Sequence, residues 1–125
     1  HRRLNVSEGL CDGLFGGNPH PRVYGAFPRV LGKYVREAGL LSLEEAVRKM
    51  TSLPARSMGL GTKGLIRPGM DADLVVFDPE IVGSPATYDT PRQHPTGIYH
   101  VFVDGEFVVR DGETTGATPG SALRA

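Results

Sequence analysis

Glycine and proline punctuate this chain so densely that its regular elements must be short and its turns many. Seventeen Gly and ten Pro lie within 125 residues, each either freeing the backbone or locking it. The hydrophobic share of 39% is nonetheless high enough for a folded core, which a disordered chain would lack. A modest globular unit, or a piece of a larger one, is the expectation.

Charge and cysteine content narrow the function classes. Lys plus Arg total 14 and Asp plus Glu total 14, so no general pull draws the chain to nucleic acid or to an anionic membrane. No apolar run reaches the roughly 20 residues that span a bilayer. The single cysteine, Cys11, cannot make an internal disulfide, which suits a reducing, cytoplasmic setting. The opening residues carry neither an initiator Met nor the pattern of a signal peptide, and a start inside a longer reading frame is expected.

The punctuation divides the chain into readable segments. Residues 1–27 keep no period for long and read as a loop, with at most a short extended piece near Asn5 to Cys11. Val30, Leu31, Tyr34, Val35 and Ala38 fall at helical spacing, predicting an amphipathic helix from Pro28 to Ala38 that ends at Gly39. Ser42-Leu43-Glu44-Glu45 has the form of a capping box before a second helix over Leu43 to Met50. A short third one is expected from Ala55 to Met58, closed by Gly59.

Past Gly64 the pattern turns to strand. Ala72 to Asp78 is β-rich, and Ile98–Val103, Asp104-Gly105 and Glu106–Arg110 predict a hairpin whose tight turn needs positive φ at both central residues. Gly83 to Gly97 is an irregular connection, and the tail from Asp111 onward reads as surface strand or loop.

Few residues offer chemistry. Asp12, where an apolar piece gives way to a glycine-rich loop, suits a general base or a group holding a water, though on the local residues alone a turn with Gly13 is the favoured reading. His20, stiffened between Pro19 and Pro21, could bind substrate or orient a carboxylate, or simply stand exposed on a rigid loop. Cys11 has no visible activating neighbour for a nucleophile. His1, His20, His94 and His100 have no metal-ligand spacing, so no metal site is expected within this chain. The glycine pairs lack the Lys-Ser/Thr of a phosphate loop.

The stretch Pro19 to Gly32 (PHPRVYGAFPRVLG), with Ser42 to Thr51 and Pro54-Ala55-Arg56, resembles the carboxyl-terminal part of the N-acyl-D-amino-acid deacylases, or D-aminoacylases, of the metal-dependent amidohydrolase superfamily. Gly64 to Asp78 resembles the segment by which such enzymes leave their barrel for a small β-domain, and the likeness continues through Ala86-Thr87-Tyr88-Asp89 to Gly120. The resemblance implies an α+β fragment: the last strand, loop and outer helices of a (β/α)8 barrel over residues 1–62, then a small, mostly antiparallel β-domain over residues 63–125.

It further implies a zinc-dependent hydrolase cleaving N-acyl-D-amino acids. Asp12 matches the family's base, with Cys11 in place of the usual Ser. His20 and Arg22, on the loop that follows, are expected to border the substrate cleft, as barrel sites gather at strand carboxyl ends. The family's zinc ligands lie on earlier strands, so the chain alone is expected to be inactive. With the barrel absent, Val30, Leu31, Tyr34, Val47 and Met50 are expected to pack on the β-domain or to drive association, as a homo-oligomer or through exposed helix faces. A non-catalytic β-rich interaction module and an amidohydrolase for cyclic amides are the alternatives.

Overall fold

A computed structural model describes residues 20–123 of the chain. Helices occupy the first part and a sheet the second. Helix α1 (Arg22–Arg29) runs directly into a π-helical segment (Val30–Glu37), followed by α2 (Leu43–Met50) and α3 (Ser52–Ser57). The strands are β1 (Leu74–Phe77), β2 (Ile98–Val103), β3 (Glu106–Arg110) and β4 (Glu113–Thr114). They form one antiparallel sheet in chain order.

The first helix starts six residues before the expected Pro28. Its backbone leaves helical geometry at Gly25 (φ −157°, ψ 25°), so Pro28 falls in the first turn of a restarted helix, where its missing N–H costs little. The far end agrees with the sequence. Gly39 donates to Val35 O at 3.1 Å and Leu40 to Tyr34 O at 2.9 Å, closing the helix and satisfying its last carbonyls.

Helix α2 has the predicted bounds but only half of the capping box. Ser42 Oγ accepts from the Glu45 N–H at 3.2 Å, whereas the Glu45 carboxylate turns to Arg48, with bonds of 2.7 and 2.8 Å. A charge-assisted bidentate pair outcompetes the neutral amide of Ser42 for the same oxygens. Helix α3 begins three residues before the predicted Ala55. Pro54 is no obstacle there, because the first turn of a helix has no N–H partners to lose. Leu60 donates to Ala55 O and Gly59 to Arg56 O, at 2.8 and 3.2 Å, so the stop at Gly59 agrees with the sequence.

In the sheet, the β2–β3 hairpin turns at Asp104 (φ 50°) and Gly105 (φ 77°), the paired positive angles of the predicted tight turn. A second Asp-Gly pair, Asp111 (φ 51°) and Gly112 (φ 81°), makes the same turn into β4, so the start of the tail is a strand hairpin. Phe102 and Phe107 stack across β2 and β3 with ring centres 4.2 Å apart, and Arg110 lies over the Phe107 ring at 5.2 Å. Such cross-strand aromatic pairs hold register.

Helices and sheet meet at Val82, which is 0% exposed and packs with Val30, Leu31 and Ala46. Tyr34, Val47, Met50, Phe77 and Ile98 close around this cluster. The helix stripe is therefore covered in part by the sheet side of the chain. The approach is close because two helix positions carry no side chain. A Cβ on Gly25 would fall 2.4 Å from Ser84 Cβ, and one on Gly32 would fall 2.8 Å from Val82 O. Arg36 then donates Nη1–H to Pro79 O at 3.1 Å and Val82 O at 2.7 Å, tying the π-helical segment to the turn before Val82.

An apolar groove of about 510 Å³ stays open beside this core, lined by Phe27, Leu31, Val47, Met50, Leu65 and Val75 among others. Ile66, at its edge, is 88% exposed. Ion pairs hold the segment that enters β1. Lys63 Nζ lies 2.5 Å from Asp73 Oδ2 and 3.0 Å from Asp71 Oδ2. Thr62 donates to Asp71, and the Asp104 N–H donates to Asp73 Oδ1. No described helix is long and apolar enough to cross a membrane.

Two predictions follow from this packing. Gly25→Ala overpacks the contact with Ser84 and lowers unfolding stability by about 1–3 kcal/mol in urea titration; the double variant Gly25→Ala/Ser84→Gly recovers most of the loss. The second concerns pH. The Lys63 ammonium and the Asp104 amide hold the Asp73 carboxyl below its ordinary value, and the Thr62 hydroxyl and Lys63 do the same for Asp71. Groups lowered on folding stabilise above their unfolded pKa and lose that contribution as pH falls through the folded one. Thermal melts between about pH 2 and 7 are expected to show an acid decline for the native chain that flattens in Lys63→Met.

Candidate functional site

The segment that leads into α1 places His20 and Arg22 together. Pro21 is the N-cap residue and has no side-chain donor or acceptor to offer. His20 supplies the missing group: its Nδ1 accepts the Arg22 N–H at 3.1 Å, satisfying one of the free amides that every helix start leaves. An Nδ1 that accepts carries no proton, so the neutral ring holds its hydrogen on Nε2. That nitrogen meets the hydroxyl of Tyr88 at 3.0 Å. The two rings stand edge to face, 5.0 Å apart at 79°.

Tyr88 sits on the irregular loop between Gly83 and Gly97, which braces itself. Gln93 Nε2 donates to Pro85 O and Thr90 O at 3.1 and 2.8 Å, and Thr90 N–H donates to Thr87 Oγ1 at 3.1 Å. Buried Ala86 and the Gly83–Thr96 bridge hold the loop to the body. Tyr88 is thus the site residue that sequence reasoning missed as a partner of His20. The two are 68 positions apart, and no local spacing announces such a pair. Arg22 is exposed on the first turn of α1 beside His20. Asp12, with Cys11, lies outside the described residues.

The described residues do not fit a zinc site of their own. No three His, Cys, Asp or Glu side chains gather among them. Asp71 and Asp73 are engaged by Lys63, and His100 Nδ1 on β2 accepts the Asp111 N–H at 3.2 Å. Around His20 the structure shows instead an imidazole held between the Arg22 amide and the Tyr88 phenol.

The amidohydrolase family model matches residues 16–109. This chain belongs to the amidohydrolase family. Over 99 residues, 79% of the chain, it is 56% identical to the N-acyl-D-glutamate deacylase of Alcaligenes xylosoxydans xylosoxydans, covering 20% of that protein. The crystal structure of a D-aminoacylase that defines a novel subset of amidohydrolases superposes with a TM-score of 0.82 at 50% identity, over 85% of this chain and 23% of that one. The N-acyl-D-glutamate deacylase of Bordetella bronchiseptica, solved with zinc and a phosphonate inhibitor, superposes with a TM-score of 0.72 at 50% identity, over 78% of this chain and 21% of that one. This amidohydrolase chain spans about a fifth of the length of the curated relatives it matches.

The hydrogen bonds around His20 fix its tautomer, and that is measurable. Long-range proton–nitrogen correlation spectra near neutral pH are expected to show the Nε2–H form, and Tyr88→Phe to shift the Nε2 resonance while leaving that tautomer in place. A dominant Nδ1–H form would contradict the geometry.

Proposed function

We propose that this chain is the carboxyl-terminal portion of a longer zinc-dependent enzyme that hydrolyses the amide of N-acyl-D-amino acids to a carboxylate and a free D-amino acid. The observation that carries this reading is the 56% identity, over 79% of the chain, to an N-acyl-D-glutamate deacylase. In this reading α1 to α3 are outer helices of a barrel, and residues 63–125 are the small β-domain beside it. The protein works in the cytoplasm.

Each site residue has a role in that reaction. Asp12 takes a proton from the attacking water and returns it to the departing amine, the two halves of general acid–base catalysis. Arg22 pairs with the carboxylate of the amino-acid substrate, for which a planar guanidinium fork is the matching partner. His20, pinned by Tyr88 and by the Arg22 amide, borders the same cleft and keeps the start of α1 in place. Zinc supplies Lewis acidity in such enzymes. Its ligands are placed, on the family resemblance, on earlier barrel strands. The groove lined by Phe27, Leu31, Val47 and Met50 takes the remainder of the longer polypeptide.

Two measurements test the reading. The 125-residue chain, supplemented with zinc, is expected to show no release of D-amino acid from a panel of N-acetyl-D-amino acids; turnover above background overturns the division of labour. In the longer enzyme, Asp12→Asn is expected to lower kcat by about 10²–10⁴-fold with KM little changed, and Arg22→Gln to act chiefly on KM.

A further inference from the structure

On α1 and the π-helical segment, Arg29, Lys33 and Arg36 all line one side of a cleft. The cleft is open, about 380 Å³ in volume, with Gly83, Ser84 and Thr96 on its other side. Like charges this close along a helix repel, and only Glu37 among the residues lining the cleft is acidic. Arg36 uses Nη1 on two carbonyls. Its Nη2 lies 3.3 Å from where a Cβ on Gly32, another lining residue, would stand.

The side chains of Arg29 and Lys33 make no hydrogen bond or ion pair with any described residue. Opposite them, Ser84 Oγ, packed against Gly25, accepts from the Ala86 N–H at 3.3 Å and its O–H has no acceptor among the described residues. The Thr96 hydroxyl is turned away, donating to Ile81 O at 3.2 Å.

We propose that this cleft binds a phosphoryl dianion, as inorganic phosphate or as the phosphate of a small ester, between Arg29, Lys33, Arg36 Nη2 and the Ser84 hydroxyl. The cleft has two walls, the helix and the irregular segment at Gly83–Ser84. A tetrahedral dianion with several terminal oxygens meets such a set more fully than a carboxylate with two. The anion relieves the repulsion along the helix. The cationic side chains are exposed, so solvent screens them and the dissociation constant is on the order of 1 mM. This inference does not rest on the deacylase reading.

The test is a titration of the isotope-labelled full chain, followed by amide proton–nitrogen spectra. Inorganic phosphate, glycerol 3-phosphate, acetate and chloride are compared at equal ionic strength. Saturable shifts at residues 29–37 and 83–85 are expected with phosphate, and the double variant Arg29→Gln/Lys33→Gln is expected to weaken binding about tenfold. Arg67→Gln, which removes one charge elsewhere, should leave it unchanged. Binding of phosphate alone, or of phosphate and the ester, supports the site and names the source. Equal shifts with acetate or chloride, shifts spread over the whole chain, or an equal loss in Arg67→Gln overturn it.

Discussion

The contact between one helix face and the Val82–Ser84 segment governs the rest of this molecule. Gly25 and Gly32 present bare backbone where any side chain would strike Ser84 or the Val82 carbonyl. The helix therefore lies close enough for Val82 to fill the space between Val30, Leu31 and Ala46, and for Arg36 to cap the carbonyls of Pro79 and Val82. Close packing of this kind tolerates little change in volume. It also sets where the next segment goes, because the loop from Gly83 to Gly97 starts at that contact.

The position of that loop carries into the candidate site. Tyr88 reaches His20 only because Ser84 is seated against Gly25, one turn into the helix that His20 caps. The site is thus a consequence of packing: the imidazole is fixed by its own helix start on one side and by a distant loop on the other. The ionic tie of Lys63 to Asp71 and Asp73 anchors the entry to β1. Its partly exposed charges act on the pH response more than on net stability near neutral pH. The apolar groove beside the core is the part of this surface that stays uncovered.

Much of the local structure was legible in the residues. Ser42 and Gly39 marked helix ends, and Asp104-Gly105 marked the hairpin, because caps and tight turns depend on a few adjacent backbone angles. The same Asp-Gly signal at 111–112 was present and gives β4. The early start of α1 was hidden, since Pro28 reads as a first-turn residue and only the bend at Gly25 lets a helix precede it. At the site, Pro19-His20-Pro21 drew attention to His20, and the neighbouring motif to Arg22. Tyr88 had no such marker.

The sequence by itself determined the order of short elements, their ends and the family to which they belong, since these rest on interactions between residues a few positions apart and on extended motif identity. The tertiary structure alone decided which faces meet: that Val82 plugs the helix stripe, that Tyr88 holds His20, and that Arg29, Lys33 and Arg36 face Ser84 across a cleft. Such pairings join residues tens of positions apart, and they are set by excluded volume and packing, which no periodicity along a chain records.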